Sequence, residues 1–169
     1  MKITQFKTFN VTFKLKKNLK IAKMMREKSS NTIVKIETDE GIEGFGEATF
    51  AHFFAGETQD SVKSTVDKFL APALTGMDPT NILSLVDEMN QIIAGNPFAK
   101  AAVEMALWDI KGKALGVPIF SLLGGFRRRS IPVAHSVSSG IVSEMVEQAL
   151  EHIRQGFKTS KIYCGRETP

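Results

Sequence analysis

Residues 34–48 read Val34-Lys35-Ile36-Glu37-Thr38-Asp39-Glu40-Gly41-Ile42-Glu43-Gly44-Phe45-Gly46-Glu47-Ala48. From Asn31 to Thr38 the chain is rich in β-branched residues, Asp39-Glu40-Gly41 supplies turn chemistry with a glycine free to take positive φ, and Ile42 to Ala48 continues as a second strand. The stretch is therefore a β-hairpin. Gly44 and Gly46 weaken the returning strand intrinsically, so they mark close backbone approach by a neighbouring element.

Upstream of the hairpin, Thr8 to Phe13 alternates polar and apolar residues. This predicts a strand with Phe9, Val11 and Phe13 on one face, the other face being free to meet water. Between the two, Lys14 to Ser30 is lysine-rich and shows no clean period, although Leu19, Ile21, Met24 and Met25 give it an apolar side. It reads as a long mobile loop joining the first strand of a three-stranded antiparallel sheet to the second.

Downstream, three helices are expected. Val62, Val66, Phe69 and Leu70 recur at helical spacing behind Thr58 as N-cap, with Gly76 beyond the end. Asp78-Pro79 reads as a cap followed by a first-turn proline, opening a helix that carries Ile82, Leu85, Val86, Met89 and Ile93 and closes near Gly95. Asn96-Pro97 repeats that opening for a third helix, with Ala101, Ala102, Met105 and Trp108 as its packing face and Gly116 at its C-terminus. Strands followed by helices read as α+β.

After Gly124-Gly125 the pattern changes to a strand from Ile131 to Ser138, a helix from Ser143 to Gln155, Gly156 as terminator and a strand from Thr159 to Cys164. A βαβ unit of this kind places its two strands parallel. Two parallel strands and one helix cannot cover both faces of the sheet, so the unit reads as incomplete. Glu167-Thr168-Pro169 likewise reads as a cap and first-turn proline.

Composition narrows the classes. The 169 residues are 43% hydrophobic and 24% charged, the proportions of a soluble globular protein. The net charge of +4 is concentrated in Lys14 to Lys28 and Arg127-Arg128-Arg129, neither of which interleaves aromatics or matches a nucleic-acid motif, so both read as solvated surface and no nucleic-acid partner is expected. Cys164 is the single cysteine, and no apolar run approaches the ~18–20 residues of a membrane span, which makes a cytoplasmic protein without membrane contact the expectation.

The hairpin at 34–48 resembles the signature hairpin of the mandelate racemase and muconate lactonizing enzyme N-terminal domain, in the enolase superfamily. Three further segments resemble that family in the expected order: Gly56-Glu57-Thr58, the run Ala101-Ala102-Val103-Glu104-Met105-Ala106-Leu107-Trp108-Asp109, and Gly112-Lys113-Ala114-Leu115-Gly116-Val117-Pro118 leading to Leu122-Leu123-Gly124-Gly125. The resemblance implies an α+β capping domain over residues 1–125 and, over residues 126–169, the first βαβ unit of a truncated TIM-type barrel. A whole barrel needs roughly 200–250 residues. The family's reaction removes a proton α to a carboxylate, with Mg²⁺ or Mn²⁺ bound by three acidic side chains of the third to fifth barrel strands. Those strands are not in this sequence, so no metal is expected on this chain alone. A small carboxylate substrate and a homo-oligomeric state are further implications.

The resemblance also marks site residues. The family's second barrel strand carries a Lys-x-Lys pair whose second lysine is the acid/base, helped by like-charge repulsion from the first. Here the strand reads Lys161-Ile162-Tyr163, so Lys161 matches and Tyr163 replaces the second lysine. A phenol ordinarily titrates near pH 10, so a tyrosine base needs help from Lys161 or a metal. The resemblance extends to acid-sugar dehydratases with tyrosine at this place, and the replacement counts against a standard cycloisomerase or epimerase. The plainer alternative is a solvated strand-end lysine beside a packed tyrosine. The loop Ala51-His52-Phe53-Phe54-Ala55-Gly56 lies where the family covers its substrate, as does the segment Leu19 to Met25, which makes Ile21, Met24, His52, Phe53 and Phe54 the expected substrate contacts. His135, in phase with Ile131, Val133 and Val137, reads as barrel-lining core or as a residue supporting the site from behind, and Glu104 and Asp109 read as structural partners. The glycines at 41–46 do not make a dinucleotide fingerprint, because a strand follows the turn.

Muconate cycloisomerisation is the leading expectation for the family machinery, with dipeptide epimerisation or acid-sugar dehydration as alternatives. A non-catalytic fragment or assembly module is the alternative from another class.

Overall fold

The computed structural model describes residues 1–21, 24–49, 55–126, 128–137 and 140–163, with side chains at all of these except 17, 19–21 and 24. It divides into two compact units, Met1–Phe13 with Ser29–Phe126, and Lys14–Lys28 with Arg127–Pro169.

A three-stranded antiparallel sheet has the order β1 (Ile3–Ile21), β2 (Met24–Thr38), β3 (Glu43–Thr49), the end of β1 from Lys14 and the start of β2 up to Lys28 falling in the second unit. The deciding hairpin forms as read: β2 and β3 pair from Asn31 opposite Thr49 to Glu37 opposite Glu43. Gly41 takes φ 76° in the turn, which Ile42 closes by donating its N–H to Thr38 Oγ1 at 3.1 Å.

Within the stretch from Lys14 to Ser30, expected as a mobile loop, the described residues are strand instead, for β1 runs on to Ile21 and β2 begins at Met24. Leu15, Leu19 and Ile21 keep the odd-numbered parity of Val11 and Phe13, with Lys14, Lys16, Asn18 and Lys20 between them. That alternation, interrupted only by Lys17, outweighs the low strand propensity of lysine.

A second correction concerns the faces of β1. Thr8 donates to Asp67 at 2.7 Å and Asn10 to Asp60 at 3.3 Å, so the even-numbered side chains turn toward the helices. Phe9, Val11 and Phe13 therefore share a face, as expected, but it is the face away from the helices. Phe9 remains 48% and Phe13 57% exposed.

The helical layer begins with α1 (Gln59–Thr65), passes through a π-helical turn (Val66–Leu70) and continues as α2 (Ala71–Leu74). Thr58 caps α1 through a reciprocal box with Ser61. Ala71 donates its N–H to Val66 O, five residues back, just before Pro72, which has no N–H to give. The wider turn shifts the phase of the stripe. Val62, Val66, Leu70 and Leu74 are buried, whereas Phe69, expected on that stripe, is exposed.

Asp78 does not open the next helix. Its carboxylate takes the Thr80 N–H at 2.9 Å and the Thr80 hydroxyl at 2.8 Å, making a turn, and α3 runs only from Ile82 to Ile92. Local side-chain bonding to the backbone has displaced the cap.

The third helix, α4 (Pro97–Leu115), is central. Ala102 and Ala106 lie against Gly46 and Gly44 of β3, where a Cβ on either glycine would strike the carbonyl oxygen of Ala102 or Ala106. The close approach expected from the two glycines is thereby explained. The buried residues of α4 are Ala99, Ala102, Val103, Ala106, Leu107, Ile110 and Gly112, while Ala101 and Met105, expected to pack, are exposed and Trp108 is half-buried. A helix between a sheet and other helices buries a band too broad for one stripe to identify. Leu107 and Ile110 are fully buried, and each such side chain contributes about 1.5–3 kcal/mol. Glu104 and Asp109 are structural partners, as read: Trp108 Nε1 donates to Glu104 at 3.2 Å, and the Phe45 N–H donates to Asp109 at 3.0 Å. A short helix, α5 (Ile119–Leu122), follows.

In the second unit, β4 (His135–Val137) and β5 (Ser160–Ile162) are parallel and joined through α6 (Val142–Arg154), which is the βαβ arrangement expected. The first strand is shorter than read. Ile131 and Val133 precede it and are 80% and 66% exposed, while Ser138 and Cys164 lie outside the described residues.

Candidate functional site

Position on β4 and β5 is fixed by their register, which sets His135 opposite Ser160, Ser136 opposite Lys161 and Val137 opposite Ile162. His135 stacks on His152 of α6, ring centroids 3.6 Å apart, and meets the Phe157 ring edge-on at 4.8 Å. The His135 face is thus the one under the helix. This corrects the expectation of a barrel-lining histidine: it packs with Val137 beneath α6 rather than on the open side of the strands.

Alternation then puts Ser136 and Lys161 on the opposite face, side by side across the two strands. Lys161 Nζ lies 4.9 Å from the centroid of the Tyr163 ring, within cation–π range. The structure therefore brings the two expected catalytic residues together, on the side of the strands that α6 leaves open. Sequence reading missed Ser136. Its signal was the register of two parallel strands, which no single-strand pattern contains.

The expected substrate contacts are less fully described. Ile21 ends β1 and Met24 begins β2, but their side chains lie outside the described set, and His52, Phe53 and Phe54 lie outside the described residues altogether.

Within the second unit, a groove of about 960 Å³ runs along α6, lined by Lys16 and Asn18 of β1, His135, Ser136, Glu144 and Glu151 among others. Its helical wall is acidic, although Arg154 pairs with Glu147 at 2.9 Å and Glu151 at 2.8 Å. Those two carboxylates hold the Arg154 guanidinium in its charged form, raising a pKa that is already high.

Among the described residues no three His, Cys, Asp or Glu side chains converge in a way that could hold a metal ion. The described residues by themselves do not fit the divalent cation that the resemblance implies. No described helix is long and apolar enough to cross a membrane.

The family model for the mandelate racemase / muconate lactonizing enzyme N-terminal domain matches residues 3–124. An N-succinyl-L-Arg/Lys racemase of Bacillus cereus is 36% identical over 165 residues, covering 98% of this chain and 45% of that protein. Its crystal structure superposes with a TM-score of 0.96 over 99% of this chain and 45% of that one. An L-Ala-D/L-Glu epimerase of Bacillus subtilis is 34% identical over 167 residues, covering 99% and 45% of the two chains. A chloromuconate cycloisomerase of Cupriavidus pinatubonensis is 34% identical over 172 residues, covering 100% and 46%. The chain spans about 45% of the length of these relatives.

Proposed function

Because the chain belongs to the mandelate racemase and muconate lactonizing enzyme family of the enolase superfamily, whose N-terminal domain it carries, we propose that it is the substrate-selecting part of a cytoplasmic enzyme that transfers a proton at the carbon α to a small substrate's carboxylate. Cycloisomerisation of a muconate is the reaction we favour. In this reading residues 1–125 are the capping domain, residues 126–169 open the catalytic barrel, and the enzyme works as a homo-oligomer.

The supporting observation is Lys161 lying over Tyr163 on the face away from α6. Lactonisation adds one carboxylate oxygen across a conjugated double bond, forming a C–O bond and moving the electron pair to the carbon α to the other carboxylate. That carbon then takes a proton. A phenol, protonated at neutral pH, suits the role of donor, and the phenolate left behind regains its proton from water. Lys161 would hold the ring in place. Mg²⁺ or Mn²⁺, when bound by residues other than those described, would stabilise the developing charge.

Epimerisation or racemisation of an acylated amino acid is the second reading, favoured by the 36% identity to the Bacillus cereus racemase. It asks a base to remove a proton on one side of the carbon, a harder task for a phenol than for an amine at neutral pH.

The discriminating experiment is a turnover assay of the whole enzyme in D₂O with Mg²⁺, offering a muconate, a dipeptide, an N-succinyl amino acid and an acid sugar. Loss of the diene absorbance, with one deuterium at the α-carbon of the lactone, is expected. Deuterium exchange into the amino-acid derivatives with the muconate untouched would establish the second reading, and turnover of the acid sugar alone would displace both.

A further inference from the structure

The first unit holds a polar cluster where β1 and β2 leave it. Gln59, the first residue of α1, donates its side-chain amide to Val11 O at 3.0 Å and to Asn31 O at 2.9 Å, so one NH₂ group spans both strands. Thr32, fully buried, donates its hydroxyl to Asn10 Oδ1 at 2.9 Å and lies 3.4 Å from Gln59 O. Asn31, also buried, accepts from Ser29 at 3.0 Å and Thr49 at 3.1 Å and donates to Glu47. Two residues beyond Val11 on one strand, and two before Asn31 on the other, the chain passes into the second unit.

A helix does not require its first residue to reach into a neighbouring sheet. The α1 cap is already complete through Thr58 and Ser61, so the Gln59 amide is surplus to the helix. What it does is bridge two strands at the root of the segment that holds Leu19 to Met25, where the family resemblance places substrate contacts. We propose that Gln59 is a positioning residue for that segment, setting how the enzyme presents it to a small carboxylate without touching substrate itself. The inference rests on the reading of Leu19 to Met25 as substrate-facing.

Gln59→Met keeps the volume and removes both donors, and Gln59→Glu, of the same shape, serves if the first variant does not fold. Two readouts are needed. In the 169-residue chain, amide hydrogen exchange at residues 10–13 and 29–32 is expected to rise about tenfold, the consequence of losing bonds worth ~1 kcal/mol each. Residues 34–37 and 102–110 should be unchanged. In the whole enzyme KM is expected to rise about tenfold with kcat within about twofold, since binding geometry changes and the proton-transfer residues do not. Exchange that is unaltered, or that rises equally across the domain, overturns the proposal, as does a wild-type KM accompanying the local exchange change. The exchange arm requires no activity. An enzyme that turns over none of the offered carboxylates would therefore refute the proposed function while leaving the result on Gln59 readable.

Discussion

Glu57 caps a helix to which it does not belong: one oxygen of its buried carboxylate accepts the Ala99 N–H at 3.1 Å, and the other accepts the Phe98 N–H at 2.8 Å. Asn96, expected as the cap, takes φ 52° and turns its own amide back to Ala94 O at 3.0 Å. An anion placed on the free N–H groups of a helix start is favoured by both hydrogen bonding and the helix dipole. Glu57→Gln directs an NH₂ group at one of those donors and should cost about 2 kcal/mol. Urea unfolding followed by far-UV circular dichroism checks this, and an unchanged midpoint would remove Glu57 from the account.

The two glycines of β3 make a sharper test. A methyl group at Gly46 or Gly44 meets the α4 backbone itself, which no rotamer change can relieve. Gly46→Ala should cost about 3 kcal/mol or prevent folding. Gly41→Ala adds a methyl group in open space at φ 76° and should cost only about 1 kcal/mol. Equal losses from the two substitutions would show that helix and strand do not pack as closely as described.

Much of this fold was legible because local signals and tertiary packing agree. At residues 31–48 the β-branched run, the turn glycine and the close-packing glycines all point to one hairpin. The readings that failed are those in which a nearby interaction competes with the pattern. Asp78 has cap chemistry, but Thr80 is within reach and satisfies it first. Phe69 is in phase with an α-helical stripe, but the π turn before Pro72 changes that phase. Phe9 and Phe13 alternate correctly, yet alternation alone does not say which side of a sheet the helices cover. Of the candidate site, Lys161 and Tyr163 stood out through family likeness, whereas Ser136 beside Lys161 and the Gln59 bridge are long-range placements that no local window encodes.

Asp78 also carries a pH signature. The Thr80 N–H, and next its hydroxyl, bond the carboxylate and hold its pKa below the ordinary aspartate value. A carboxyl group whose pKa is depressed on folding adds stability above its unfolded pKa, near 4, and loses it as pH falls through the lower folded value. The stability gap between the native chain and Asp78→Asn should therefore be widest above about pH 4 and close below it. Thr80→Ala, which removes the second bond and keeps the first, should move the Asp78 titration midpoint, read by NMR, part of the way back up. A midpoint indifferent to Thr80 would contradict the assignment.

Binding of Mg²⁺ follows from the donors present. A hard dication needs several converging oxygens, and the described residues offer no such set. Calorimetry on the 169-residue chain should show no 1:1 binding in the micromolar range, and the chain by itself should turn over neither muconate nor dipeptide. A saturable micromolar site would mean that side chains outside the described set complete one.

The last prediction concerns how unequally stability is distributed along the chain. The strand pair at 31–37 and 43–49 has α4 packed against it, and Val34 and Ile36 are fully buried, so its amides should open only when the whole unit unfolds. The pair formed by β4 and β5 is three residues long on each strand, and all three residues of β5 are exposed. Two short strands of this kind are marginal in water, because few apolar contacts oppose the entropy of fraying. In a proven monomer, amides at 160–162 should therefore exchange on the order of a hundredfold faster than those at 34–37. The stacked His135 and His152 rings and buried Val137 anchor β4 alone, so its amides should fall between these limits. If 160–162 exchanged as slowly as 34–37 in that monomer, β5 would have a covering partner within the chain, and Lys161 and Tyr163 would not lie on an open face.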